Sequence, residues 1–223
     1  MNAAVLPEHS GLPAQVWLAS RSPRRRELLQ TLGLQVQVFL AQNTPEAEAL
    51  EAPFENEDPL LYVQRVTQLK LNAALKAMRE QEISGLVLAA DTTVALNGNI
   101  LGKPQNAAEG LQMLQSLSNN THEVHTAVAG AWLNKNGAVD AEKNTVQTSH
   151  VEFALLPETF IHAYIASGEP FDKAGAYGIQ GIAGQYVRHI SGSHSGIMGL
   201  PLFETSELMR HIQTVAQATK RID

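Results

Sequence analysis

"QVWLASRSPRRRELLQTLGLQVQVFL", residues 15–40, decides the fold class. Gln15 to Ser20 reads as a short buried strand. Ser22 then stands where a helix N-cap belongs and Pro23 at the first helical position, and both residue types are favoured there. Leu28, Leu29 and Leu32 keep helical spacing, and Gly33 is a stop signal. Leu34 to Leu40 alternates apolar and polar, as a half-buried strand does. Strand, helix and strand in succession point to an α/β protein.

The pattern continues outward. Asn43 to Asp58 is acidic, contains Pro45 and Pro53, and reads as a loop. Asp58–Pro59 starts a helix running to about residue 80, with Leu61, Val66, Leu69, Ala73 and Ala74 on one side. "GLVLAADTTVAL", residues 85–96, is a strand buried in its first half. Asn97–Gly98 is a strong hairpin signal, and Ile100–Leu101 begins the return. Asn106 caps a helix through about Leu117. His122–Leu133 and Thr145–Leu156 read as strands joined by a turn around Asn136–Gly137. Pro157 opens a helix ending near Ser167–Gly168, and Glu169 to Gly184 is a glycine-punctuated loop. A strand from Gln185 to Ile190 and a helix from about Phe203 to Thr219 complete the series. The expected architecture is one sheet with helices on both sides, a single domain over residues 15–223 behind a loosely held tail, residues 1–14.

Composition narrows the function. With 223 residues the chain can bury a core without staples, and it has no cysteine, so disulfides, thiol nucleophiles and Cys-type zinc sites are excluded. No apolar run approaches the roughly 20 residues of a membrane span, and the N-terminus lacks the pattern of a signal peptide, so no membrane partner and a cytoplasmic location are expected. The formal net charge of −6 argues against a nucleic-acid polymer as partner. A small polyanion in a local pocket is compatible with it, because pocket charge and net charge are separate matters.

Against that acidic background, Arg21, Arg24, Arg25 and Arg26 fall within six positions. A strand, a turn with Ser20 and Ser22, and a helix N-terminus form an anion site through free N–H groups and the helix dipole. Arginines beside the positive end of that dipole are locally unfavourable, and an anionic ligand would offset the conflict; surface ion pairs, for example with Glu27, are the plainer alternative. In "AADTTV", residues 89–94, Asp91 interrupts an apolar strand where a carboxylate is costly unless paired or metal-bound. It could hold a divalent cation or take a proton from water. In "ILGKP", residues 100–104, Lys103 follows a hairpin, but the glycine spacing and Pro104 rule out a Walker loop. "GEPFDKAGAYGIQG", residues 168–181, gathers Glu169, Asp172, Lys173, Tyr177 and Gln180 around glycines in a loop long for mere connection. The Gln180 amide can both donate to and accept from a base edge. "HEVH", residues 122–125, lacks zinc spacing, and "GSHSG", residues 192–196, has His194 where a nucleophilic serine would stand; it reads as a turn lining a pocket.

Together, "SRSPRRRELL", "AADTTV", "ILGKP", "EPFDKAGAYGIQG" and "GSHSGIMGLPLFET" resemble the Maf family of nucleoside triphosphate pyrophosphatases, over residues 16 to about 208. "DKAGAYGIQG" is similar to the branch acting on dTTP and UTP. The resemblance implies an elongated mixed sheet, two lobes with a central cleft, and hydrolysis of a nucleoside triphosphate to the monophosphate and pyrophosphate with Mg²⁺, or Mn²⁺, as cofactor. It implies Asp91 as the proton acceptor, and Arg24, Thr92 and Gln180 as positions tied to choice of base. Ser20, Ser22, Arg25 and Lys103 with Lys173 match further substrate-binding positions, and Glu27, Lys70 and Asp172 supporting ones. Glu46, Glu48 and Glu51 compete for the family's metal-side glutamate; Glu48 is taken here, with Asp91, as the metal pair. A homodimer is a further expectation. Arg21 between the serines and Leu71 after Lys70 depart from the family pattern. The competing readings are a 7-methyl-GTP-type enzyme and a septum-formation inhibitor acting by binding alone.

Overall fold

The computed structural model describes residues 11–41 and 51–219. The chain runs β1 (Gln15–Leu18), α1 (Pro23–Thr31), β2 (Gln35–Val38), α2 (Pro59–Glu80), β3 (Gly85–Leu96), β4 (Asn99–Leu101) and α3 (Ala107–Leu117). It continues through β5 (Thr121–Leu133), β6 (Val139–Phe153), α4 (Glu158–Ala166), β7 (Val187–Ser191), the short α5 (His194–Ile197) and α6 (Leu202–Thr219). The strands form one mixed sheet in the order β2-β1-β3-β5-β6-β7, with β4 attached to β3. β1 runs parallel to β2 and β3, and the other pairings are antiparallel.

Local signals set the boundaries. The Asp58 carboxylate accepts from Leu60 N at 2.9 Å and Leu61 N at 3.1 Å, capping α2. Asn106 accepts from Glu109 N at 3.0 Å while the Glu109 carboxylate takes Gln105 N at 2.8 Å. Asn97 and Gly98 both adopt positive φ, 51° and 77°, as the two-residue hairpin between β3 and β4 requires. β6 starts at Val139, six residues before the Thr145 expected from alternation, because its polar first half still ladders with β5.

Side-chain alternation along β3 and β5 sends apolar residues to both faces of the sheet. On one face Leu28 and Leu29 of α1 and Leu208, Met209 and Ile212 of α6 pack with Leu86, Leu88, Ala90 and Val128. On the other, Leu71, Ala74, Leu75 and Met78 of α2 meet Val87, Ala89, Ala129 and Ala131. Toward the far end of β3, Val94 joins Val124, Val151, Phe153, Leu114, Ile161 and Tyr164. Each such aliphatic side chain contributes roughly 1.5–3 kcal/mol by leaving water. Gly130 in β5 lets α6 come close: a Cβ there would sit 2.7 Å from Leu88 and 2.9 Å from Leu208. The core stripe of α2 is Val63, Val66, Thr67, Leu71, Ala74, Leu75 and Met78, so the expected Leu61 and Ala73 are corrected to exposed positions. The periodicity admitted two faces, and two of the five residues chosen look away from the core. Leu12 packs on the first cluster and Pro13 is buried. Among the described residues no helix is long and apolar enough to cross a membrane.

Both histidines of "HEVH" are buried on β5 and serve packing. His125 Nδ1 lies 2.9 Å from the Thr148 hydroxyl. His122 Nε2 lies 2.7 Å from the Tyr177 hydroxyl, and its ring packs against both Phe153 and Tyr177. Burial pushes His122 down to about 4 from 6.5. The unfolded chain therefore binds this proton at a higher pH than the folded one, so stability is complete above pH 6.5 and is lost as pH falls toward 4. The loss attributable to His122 amounts to roughly 3 kcal/mol across that window. Urea unfolding at pH 7, 6, 5 and 4 checks this: His122→Gln has the flatter profile, and parallel profiles for the two proteins would refute it.

Candidate active site

The site begins with a break in the sheet. β1 pairs with β3 only at Trp17↔Val87 and Leu18↔Leu88, with Ala19 N donating to Leu88 O at 2.8 Å. On the same edge of β3, β4 begins at Val94↔Leu101. Among the described residues no strand lies beside the stretch of β3 between them on that edge, and a cavity of about 700 Å³ opens there. Open α/β sheets bind ligands beyond the carboxyl ends of parallel strands, where neighbouring chains part. Asp91 and Thr92 sit in the gap, and alternation turns one toward α2 and the other toward α1.

On the α2 side, Asp91 Oδ1 accepts from Lys70 Nζ at 2.7 Å, and the same ammonium lies 3.1 Å from Glu51 Oε2. Two carboxylates thus converge on one cationic point. Tyr62 stands close by; burial, then Asp91 and Glu51, push its hydroxyl up.

On the α1 side, Arg25 braces the floor. Its Nε donates to Gly199 O at 2.8 Å, Nη1 to Ser20 Oγ at 3.2 Å and Nη2 to Thr92 Oγ1 at 3.1 Å. Thr126 donates its only hydroxyl hydrogen to Gly196 O at 2.8 Å, so in the 3.0 Å contact between the two threonines Thr92 is the donor. The chain from Arg25 through Thr92 and Thr126 to Gly196 runs in one direction. Burial lowers the Arg25 pKa against the attraction of Asp91, with Arg24 adding to the lowering. Ser22 caps α1, accepting Arg25 N at 3.4 Å, and Ser20 Oγ accepts Ser22 N at 3.2 Å. No acidic residue occupies the first turn of α1, so its positive end is unneutralised by its own sequence.

The far wall is the loop read as glycine-punctuated, which forms 3₁₀ turns at Glu169–Asp172, Ala174–Ala176 and Ile182–Tyr186. Gly175 N donates to Gly102 O at 3.0 Å, tying this loop to the "ILGKP" segment and setting Lys103 at the cavity. Lys173 Nζ donates to Glu169 O at 2.6 Å and to Asp172 at 2.5 Å. Burial alone would raise the Asp172 carboxyl, but Lys173, with Arg24 behind it, holds it below the usual carboxylate range. Gln180 is exposed on the rim.

Arg21, Arg24, Arg25, Lys70, Lys103 and Lys173 line the cavity against Glu51, Asp91 and Asp172. Among the described residues that line it, cations outnumber acids two to one, inside a chain of net charge −6. Ser20, Ser22, Thr92 and Gln180 line it as well, while Glu27 is exposed on α1 and is not among the lining residues. Glu46 and Glu48 lie outside the described residues. Met198 and Gly199, directly after the α5 turn that Ser193 caps, complete the floor. Among the described residues no three His, Asp or Glu side chains cluster as a self-contained metal site.

The model for the Maf-like protein family matches residues 15–212. The chain belongs to the Maf family. Curated relatives agree over most of its length. A dTTP/UTP pyrophosphatase of Albidiferax ferrireducens is 48% identical over 196 residues, 87% of this chain and 95% of that protein. One of Ralstonia nicotianae is 49% identical over 195 residues, 87% and 92% of the two chains. One of Burkholderia pseudomallei is 45% identical over 212 residues, 92% and 97%.

In this Maf-family chain, sequence reading assigned Arg25 to phosphate and missed its three bonds to protein, because arginine is a plausible anion ligand wherever it falls. Glu51 gave no local signal beyond its charge in an acidic segment. Replacing Arg25 by Lys keeps a charge but not the fork that reaches Ser20, Thr92 and Gly199 together. Arg25→Lys is expected to lower stability by about 1.5–3 kcal/mol, from lost hydrogen bonds to a charged donor. Chemical denaturation measures it, and an unchanged midpoint would show that the brace is dispensable.

Proposed function

We propose that this Maf-family chain hydrolyses dTTP and UTP to the monophosphate and pyrophosphate, the activity its relatives are named for. The observation that carries the reading is a cleft with excess positive charge around a sheet-borne carboxylate, at the end of a parallel strand. The triphosphate lies along Ser20, Ser22, Arg24 and the N-terminus of α1, with Lys103 and Lys173 facing it. Thr92, held by Arg25, fixes the floor beneath it, and Gln180 meets the base from the rim.

A divalent cation, Mg²⁺ or Mn²⁺, fits the donors present, because Asp91 and Glu51 already share one cation, the Lys70 ammonium. Asp91 and Glu51 would hold it, with substrate oxygens completing the set. Such an ion supplies neutralisation of phosphate charge and easier ionisation of water. Asp91 accepts the proton of a water whose oxygen bonds to the α-phosphorus. The bond from that phosphorus to the bridging oxygen breaks, and pyrophosphate leaves with the electron pair. Lys70 holds the Asp91 carboxylate in place, and the cationic walls stabilise the charge that grows on the leaving group. Residues 15–223 act as one unit, since the cleft is lined by residues from Ala19 to Gly199. A nucleotide substrate places the reaction in the cytoplasm.

The test is a panel of dTTP, UTP, 7-methyl-GTP and the common triphosphates with Mg²⁺, scored for pyrophosphate and orthophosphate. Pyrophosphate from dTTP and UTP is expected, and orthophosphate alone would show that another bond is cut. Asp91→Asn should lower turnover by about 10²–10⁴, the usual worth of a general base, while still binding a non-hydrolysable analogue. Hydrolysis near the wild-type rate in that variant would remove Asp91 from the mechanism.

A further inference from the structure

The segment after Glu51 raises a question of order. Ala52 to Asn56 is exposed, so apolar burial does not hold it. Yet Glu51, one residue before it, reaches Lys70 in the cleft. What fixes the segment is a single guanidinium on α2. Arg65 Nε donates to Glu57 Oε1 at 2.6 Å and Nη2 to Glu57 Oε2 at 2.7 Å. The same Nη2 donates to Ala52 O at 2.9 Å, on the residue next to Glu51. The Arg65 guanidinium also lies 4.1 Å from the centre of the Phe54 ring. Glu57 closes the turn from inside, since Oε2 accepts Phe54 N at 3.0 Å and Glu57 N donates to Phe54 O at 3.2 Å.

Arg65 and Lys70 stand on the same helix. One holds the peptide beside Glu51 and the other holds its carboxylate. We infer that Arg65, through Glu57 and Ala52 O, is a positioning residue that sets Glu51 beside Asp91 as the second carboxylate of the cation site. Neither Arg65 nor Glu57 lines the cavity, so the pair acts at one remove. The bidentate Arg–carboxylate geometry is directional as well as charged, and lysine does not reproduce it. Groups that orient metal ligands without touching the metal typically control its affinity by roughly tenfold to a hundredfold.

This inference rests on the reading of Glu51 and Asp91 as cation ligands, and the experiment separates the two. Mn²⁺ is titrated into the nucleotide-free protein and followed by electron paramagnetic resonance, so the readout does not depend on turnover. Glu51→Gln tests the ligand itself; Arg65→Lys and Glu57→Gln test the clasp from its two sides. Weaker Mn²⁺ binding in all three is expected, by about tenfold or more in the clasp variants. Faster amide exchange at Phe54 should accompany it in both clasp variants. Metal-free affinity for a non-hydrolysable dTTP analogue should stay within about twofold, since the clasp lies outside the nucleotide wall. If Glu51→Gln weakens Mn²⁺ and both clasp variants leave it unchanged, Arg65 is structural only and the inference fails. If Glu51→Gln itself leaves Mn²⁺ binding unchanged, the cation-site reading fails first and takes the inference with it. Should Arg65→Lys not fold, Glu57→Gln alone decides.

Discussion

A carboxylate in the middle of a largely buried strand is tolerable only with a partner, and Lys70, 2.7 Å from Asp91, is that partner. The pair is largely covered, with side chains 17% and 26% exposed, so desolvation offsets much of its Coulombic gain. Its value lies elsewhere. It ties α2 to β3 at the point where β3 parts from β1, and it holds a carboxyl group at the floor of a cleft. Removing Lys70 would strip Asp91 of that partner in a partly covered site, which costs more than the pair contributes, whereas removing Asp91 leaves Lys70 its contact with Glu51.

The cleft around that pair reverses the sign of the molecule. A chain of net charge −6 concentrates Arg21, Arg24, Arg25, Lys70, Lys103 and Lys173 on one concave surface. A low-dielectric wall behind such a surface focuses the field outward, so a polyanion is drawn to this concavity although the protein as a whole repels it.

Much of this was readable from residues whose local role and global role coincide. Ser22–Pro23, Asn97–Gly98 and Asn106 are capping and turn signals, and each marks its boundary in the structure. Asp91 was legible for the opposite reason: it violates the strand pattern, and such violations concentrate at sites. What sequence could not convey is how donors are divided. Arg24 and Arg25 are adjacent and chemically identical, yet Arg25 turns inward to Ser20, Thr92 and Gly199, a partner 174 positions away. The α2 stripe failed similarly. Leu61 and Ala73 share helical spacing with core residues, but only the sheet decides which face is covered. The contact of Glu51 with Lys70 had no sequence signal either, because only the packing of α2 brings the two together.

The loop opposite the arginines shows how the far wall can be rigid without regular structure. Gly175 holds φ at 68° directly against Val94, where a Cβ would lie 2.8 Å from Cγ1, so the chain crosses the end of β3 at backbone contact. Gly181 leaves room for the Glu169 carboxylate, which accepts the Tyr164 hydroxyl at 3.0 Å. Lys173 lies across Gly178 and is fastened at both Glu169 O and Asp172. Each glycine is thus spent on a close approach, and each approach ends on a hydrogen bond or a packed side chain. Such a loop presents Gln180 from a fixed frame. A ligand that meets this wall then does not have to order it at the moment of binding, and that saving is what preorganisation means for affinity.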